Sequence, residues 1–148
     1  MFDDRQGRSF YVYNLHLDHV SQPSRERSVG LLLERIAART PAAPVVVTGD
    51  FNTGEANPAT QAMLKIFRDT FRVMYPNAEE VGTANQFTLG RTTGEKIDYV
   101  FVEPDTEVLG AGIVRTAADG RYPSDPLSGD RADSLALKGA TYLVALQP

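Results

Sequence analysis

Three short apolar runs along this chain carry or end in polar groups, a fourth polar pair follows in a loop, and that punctuation limits the fold to short strands whose ends carry the chemistry. The first run, Ser9 to Leu17, is rich in aromatic and branched residues and alternates. Tyr11, Tyr13, Leu15 and Leu17 fall on one face, and Phe10, Val12, Asn14 and His16 on the other, so one face packs and the other ends in polar groups. The second, Pro44 to Thr48, is short, apolar and β-branched, as in a buried strand, and stops at Gly49-Asp50-Phe51-Asn52, which reads as a loop. The third, Lys96 to Val102, places Ile97, Tyr99 and Phe101 on one face and Asp98, Val100 and Val102 on the other. A carboxylate on that apolar face needs a cation or hydrogen-bond donors to offset its desolvation. The fourth polar group, Ser124-Asp125, lies in a loop over Asp119 to Asp133 that is dense in Gly, Pro, Asp and Ser.

Helical signals separate the first strands. Between Pro23 and Arg39, Val29, Leu32, Leu33 and Ile36 form one stripe, with Ser21 or Ser24 as the cap and Glu26, Arg27, Glu34 and Arg35 largely outside it. Asn57-Pro58 is a helix start, continued by Met63, Ile66 and Phe67. Glu107 to Thr116 reads as a further strand and Thr141 to Leu146 as a short terminal one. The order strand, helix, strand, helix, strands indicates an α/β (α+β) fold, and 148 residues suffice for one domain.

Composition narrows the chemistry. With 15 basic and 19 acidic side chains the net charge is -4, so no basic stripe provides bulk affinity for nucleic acid or anionic lipid, and phosphate chemistry must use a metal or a few local cations. Zero cysteines exclude disulfides, thiolate metal sites and a cysteine nucleophile. No apolar run approaches a membrane span and Met1-Phe2-Asp3-Asp4 is no secretory signal, so the chain is expected to be soluble. Taken singly, each polar cluster has a structural reading: a hydrogen-bonded strand histidine, a Gly-Asp turn, a Ser-Asp loop pair.

In combination and order, the clusters resemble the endonuclease/exonuclease/phosphatase family over roughly Ser9 to Asp125. Asn14-Leu15-His16-Leu17-Asp18-His19 is similar to its Asn-Thr-His-Leu-Asp-His strand, with Leu15 for the threonine. Gly49-Asp50-Phe51-Asn52 is similar to its Gly-Asp-Phe-Asn turn, Lys96 to Val102 to its Ile-Asp-Tyr-Ile-Phe strand, and Arg121-Tyr122-Pro123-Ser124-Asp125 to the opening of its Tyr-Pro-Ser-Asp-His signature. The resemblance implies water attack on a phosphate ester assisted by Mg²⁺ or Mn²⁺. It implies that Asp50 activates the water or holds the metal, and that Asn52 orients the nucleophile and a phosphate oxygen. His16 would stabilise charge on the phosphoryl oxygens, Asp98 would orient a final histidine, and Asp125 would sit at the metal end. The implied metal set is Asp50, Asn52 and Asp125. Arg25 resembles a substrate-binding arginine and equally fits a solvated helix-start charge, while Asp18 and His19 fit structural or rim positions. The acidic balance favours a small or lipid phosphate over duplex DNA; nucleic acid stays open as a partner.

Two departures shape the expectation for activity. Family members are about twice this length, and their other half supplies a strand asparagine and a metal-binding glutamate. The implied fold is a four-layer α/β/β/α sandwich, of which residues 1–125 would form one half, leaving an apolar sheet face exposed for self-association or pairing with another chain. Second, Pro126 stands where the family has its histidine. Pro126 to Ala132 is what one inserted C makes of a His-Phe-Pro-Val-Thr-Ala ending, so residues 126–148 are expected to form an atypical, out-of-frame tail whose apparent strand is accidental. The two functional expectations are therefore a phosphoester hydrolase, incomplete and weakly active or inactive in this chain, and a non-catalytic fragment acting at most as a binding module.

Overall fold

The computed structural model describes residues 2–3, 9–83, 94–113 and 142–147. Strands β1 (Phe2–Asp3), β2 (Ser9–His16), β3 (Val45–Asp50), β4 (Arg68–Asp69) and β5 (Asp98–Val102) form one mixed sheet in the order β1-β2-β3-β5-β4. Strands β6 (Glu107–Ile113) and β7 (Tyr142–Gln147) pair antiparallel in a second sheet. Only β2 and β3 run parallel in the larger sheet. A parallel pair requires a crossover, and α1 (Gln22–Ala37) lies in that connection. Helices α2 (Pro58–Leu64) and α3 (Thr70–Met74) follow β3 and β4. A mixed sheet with flanking helices is the α/β (α+β) class that the element order predicts.

One face of the larger sheet makes the core. Tyr11, Tyr13 and Leu15 of β2, Val45 and Val47 of β3, and Tyr99 and Phe101 of β5 pack against Val29 and Ile36 of α1 and Ala59 and Met63 of α2. The predicted helical stripe is the buried one, and Glu26, Arg27, Glu34 and Arg35 are exposed. Ser21, not Ser24, caps α1: its side chain accepts from the Ser24 N–H at 3.3 Å. Asn57 caps α2 by accepting from the Ala59 N–H at 3.0 Å. At the far end of the sheet from the polar strand exits, Glu103 joins α1 to β3. Its Oε1 receives Arg39 at 2.6 Å and its Oε2 receives the Val45 N–H at 3.0 Å.

Several expectations need correction. β3 does not stop at Thr48 but continues through Gly49 to Asp50, because both neighbouring strands keep pairing with it: Leu15 and His16 on one side, Tyr99 and Asp98 on the other. β5 begins at Asp98, with Lys96 and Ile97 ahead of it. α2 ends at Leu64, so Ile66 and Phe67 do not extend it. The chain turns there into β4, burying Phe67 and exposing Ile66. β4 and α3, of 2 and 5 residues, are too short to leave a periodic signal. The short terminal strand expected over Thr141 to Leu146 is present as β7 and pairs with β6 in register from Glu107↔Gln147 to Ile113↔Tyr142, with a shift between Val108 and Gly110. The expected loop at Asp119 to Asp133, and with it Ser124, Asp125 and Pro126, lies outside the described residues.

The opposite face of the sheet is ordered in rows: Val12↔Val46↔Val102, Asn14↔Thr48↔Val100 and His16↔Asp50↔Asp98. Among the described residues of these rows, the apolar exposure expected on this face falls on Val12 of β2 and in part on Val46 of β3. Val12 is exposed and Val46 half-buried, but Val100 and Val102 are buried.

Candidate active site

The last of those rows gathers three of the residues singled out from the sequence. His16 ends β2, Asp50 ends β3 and Asp98 opens β5, each the Cα partner of the next. Since residues paired across strands project from the same face, the row brings an imidazole and two carboxyl groups together at one sheet end. His16 Nε2 stands 3.5 Å from Asp50 Oδ2, with the histidine side chain 58% exposed and the aspartate 15%. Asp98 is buried, and its N–H donates to Thr83 Oγ1 at 3.2 Å beside the Ile97 N–H at 2.9 Å.

The local sequence explains this placement. Gly49 has φ +141°, and a Cβ there would lie 1.9 Å from the Leu15 carbonyl oxygen, so a side chain would force β2 and β3 apart one residue before Asp50. Asp50 Oδ1 then accepts the Asn52 N–H at 2.7 Å, a side-chain turn suited to aspartate, while Asn52 takes φ 49°, a left-handed conformation asparagine tolerates well. Between them Phe51 is fully buried, edge-on to Tyr99 and Phe101 with ring centroids 5.3 Å away in each case. The Phe51 N–H donates to the Ile97 carbonyl at 2.8 Å. One aromatic plug thus roots the turn in the core, and the polar residues on either side of it are held at the surface.

Asn52 is tied to β2 as well. Its Nδ2 donates to the Leu17 carbonyl at 2.7 Å, and the Leu17 N–H donates to the Asp50 carbonyl at 2.9 Å. Asp18 caps the next turn by accepting the Val20 and Ser21 N–H groups at 2.7 and 2.8 Å. Arg25 lies behind that turn: it is buried, with Nη1 on the Asp18 carbonyl at 2.8 Å and Nε and Nη2 on Gln22 Oε1 at 3.2 and 2.7 Å. It supports the Leu17-Asp18 segment from within α1. His19 is exposed in the same loop.

Burial pushes the Asp50 carboxyl above the ordinary aspartate range, opposed by the Asn52 N–H and the neighbouring His16. A carboxylate short of water and a side-chain amide are hard-oxygen donors, and Asp50 and Asn52 fit Mg²⁺ or Mn²⁺ in kind. Among the described residues, no group of three or more His, Asp or Glu side chains is arranged to hold a metal.

Sequence reasoning missed a buried charge network behind the row. Lys96 is fully buried with Nζ 2.6 Å from Asp69 Oδ2, 4.0 Å from Glu55 Oε1 and 3.4 Å from the Tyr99 ring centroid. Glu55 also receives Arg72 at 2.7 and 2.6 Å. Its members come from distant segments, so no local spacing announces it. Thr83, which holds the start of β5, was missed for the same reason.

Comparison with known proteins supports the fold. The model of the endonuclease/exonuclease/phosphatase family matches residues 2–125. The chain belongs to that family. A comparison with curated proteins gave no match. Among solved structures, the endonuclease/exonuclease/phosphatase of Bacteroides vulgatus is similar, with a TM-score of 0.73 and 25% identity over 98% of this chain and 52% of that one. The mannosyl-6-phosphatase Bt3783 of Bacteroides thetaiotaomicron has a TM-score of 0.68 and 24% identity, covering 95% of this chain and 52% of its own. The human Nocturnin catalytic domain, solved with a bound sulfate anion, shares the fold at 15% identity, with a TM-score of 0.62 over 97% of this chain and 50% of that one. This chain therefore spans about half the length of the solved family members it matches. Family members are phosphoesterases, nucleases and phosphatases. No helix among the described residues is long and apolar enough to cross a membrane.

Proposed function

We propose that this chain carries part of the centre of a divalent-metal-dependent phosphoester hydrolase, acting on a phosphodiester or phosphomonoester. The observation that carries the reading is the in-register row His16–Asp50–Asp98, with Asn52 locked beside it. Asp50 activates the water or holds the metal: its Oδ1 accepts the Asn52 N–H, its Oδ2 faces His16 Nε2 at 3.5 Å, and its raised carboxyl range makes it a better proton acceptor than an ordinary aspartate. Asn52, with Nδ2 held on the Leu17 carbonyl, directs its amide oxygen at the nucleophile. His16, the most exposed member of the row, meets the phosphoryl oxygens and when protonated balances their developing charge. Arg25 contributes by holding the Leu17-Asp18 turn against which Asn52 is set.

Asp50, Asn52 and Asp125 would hold the metal, which when bound supplies charge neutralisation at the phosphate. The family role of Asp98, orienting a histidine after Asp125, meets Pro126 in this chain, so Asp98 acts here through its place beside Asp50. The net charge of -4 supports a small or lipid phosphate over duplex DNA. Val12, exposed on the sheet face opposite the core, supports pairing with a second chain.

The test is hydrolysis of bis-p-nitrophenyl phosphate and p-nitrophenyl phosphate by the purified chain with Mg²⁺ or Mn²⁺, beside Asp50→Ala and His16→Ala. Turnover lost in both variants supports the reading. Turnover unaffected by either variant refutes the assignment. Metal binding without turnover would favour the non-catalytic binding module.

A further inference from the structure

We infer that Lys96 is a positioning residue for the row, clamping the entry of β5 against the loop that carries Asn52; this rests on the hydrolase reading above. A fully buried ammonium is costly to desolvate, so its retention depends on what surrounds it, here Asp69, Glu55 and the face of Tyr99. These partners are distributed in an informative way. Glu55 belongs to the loop that leaves Asn52, and Arg72 of α3 holds the same carboxylate. Asp69 closes β4 and caps α3 by accepting the Phe71 N–H at 3.1 Å. Tyr99 directly follows Asp98.

The Lys96 backbone takes part as well. Its carbonyl accepts the Tyr99 hydroxyl at 2.7 Å, and the same hydroxyl lies 3.2 Å from the Thr53 carbonyl. With the Phe51 N–H on the Ile97 carbonyl, residues 51–55 and 96–99 are joined by side-chain and main-chain links that all converge on Lys96 and its neighbours. Asn52 and Asp98 lie in these two joined segments, and Asp50 directly precedes the first. The Lys96 ammonium is held by Asp69, Glu55 and the Tyr99 ring, so its influence on the row passes through the geometry of the joint. Shifts of about 1 Å in a reacting group cost about a hundred-fold in rate, which is why such a joint matters to the site as well as to the core.

The experiment compares the whole chain with Lys96→Met and with Lys96→Met/Asp69→Asn, in which the uncompensated carboxylate of the single variant is neutralised while a cap for α3 is kept. Amide hydrogen exchange is read at Phe51 and Asp98 against Val46 and Val47 of the mid-sheet, and kcat and KM are read with Mn²⁺ and a p-nitrophenyl phosphodiester. Positioning predicts that protection at Phe51 and Asp98 drops at least about ten-fold more than at Val46 and Val47. It also predicts that kcat falls about ten- to a hundred-fold with KM nearly constant, and that the double variant regains thermal stability but not kcat. Equal loss of protection at all four amides, or kcat returning together with stability in the double variant, would show that Lys96 only supports the core. An inactive wild-type chain would overturn the hydrolase reading instead, and the exchange comparison alone would then decide whether Lys96 holds the joint.

Discussion

Asp50 and Asp98 are Cα partners on antiparallel β3 and β5, so two acidic side chains leave one face of the sheet side by side, with His16 next along the row on β2. Burial disfavours the charged form of the Asp50 carboxyl, opposed by the Asn52 N–H and by His16, and the balance makes the stability of the chain depend on pH. That dependence is measurable.

Burial holds the Asp50 carboxyl above its ordinary value of 3.8. The folded chain keeps this proton to a higher pH than the unfolded chain does, so its contribution to stability is greatest at low pH and is lost as pH rises from 3.8 through the raised value. Asp50→Asn should stabilise the chain at pH 7 by about 0.5–1 kcal/mol, as replacements at functional sites often do, flatten that part of the profile and abolish hydrolysis. Urea midpoints measured across pH check this; an Asn variant weaker than wild type at pH 7 contradicts it.

Metal should stabilise the folded chain through the same carboxylate. At a concentration about 100 times its dissociation constant, a cation that binds only the native state adds about 2.7 kcal/mol. Thermal melts with Mn²⁺ should rise accordingly, and the rise should vanish in Asp50→Ala and after chelation. A shift that persists in Asp50→Ala would place the cation elsewhere.

Gly49→Ala puts a methyl group against the Leu15 carbonyl at a φ that side chains rarely adopt. The expected loss is about 2–4 kcal/mol, read by urea denaturation. Because the clash parts β2 from β3 beside the row, activity should fall further than the residual folded fraction accounts for.

Glu103→Ala serves as a contrast at the other end of the sheet. It removes the acceptors for Arg39 and for the Val45 N–H, and should cost about 1–3 kcal/mol through the polar groups left without partners. At a temperature where the variant remains folded, kcat and KM should match wild type; a changed kcat would mean that the sheet transmits strain along its length.

The alternating pattern of Ser9 to Leu17 and Lys96 to Val102 showed which side chains share a face, because a period of two survives any tertiary context. His16 and Asp98, each on the polar-bearing face of its strand, stand in one row on either side of Asp50. The extent of β3 was not legible: Gly49-Asp50 reads as a turn until the partners that continue pairing on both sides are known. Phe51 could have been foreseen as an anchor from the polar-apolar-polar order of Asp50-Phe51-Asn52. Lys96 could not, since a lysine ahead of a strand looks solvated, and the acids that bury it, Glu55 and Asp69, stand far away in the chain. Arg25 was conspicuous by its motif, but its bonds to Asp18 and Gln22 depend on how α1 meets the turn.

The parallel pairing of β2 with β3 also has a temporal consequence. His16 and Asp50 become neighbours only after α1 has been laid across the intervening chain, and Asp98 joins them only once the segment containing α2 and α3 has been folded back. Every contact in the row is therefore non-local, the class of contact that slows folding. In a nascent or partly unfolded chain His16, Asp50 and Asp98 stand apart, and the row exists only once the sheet has closed.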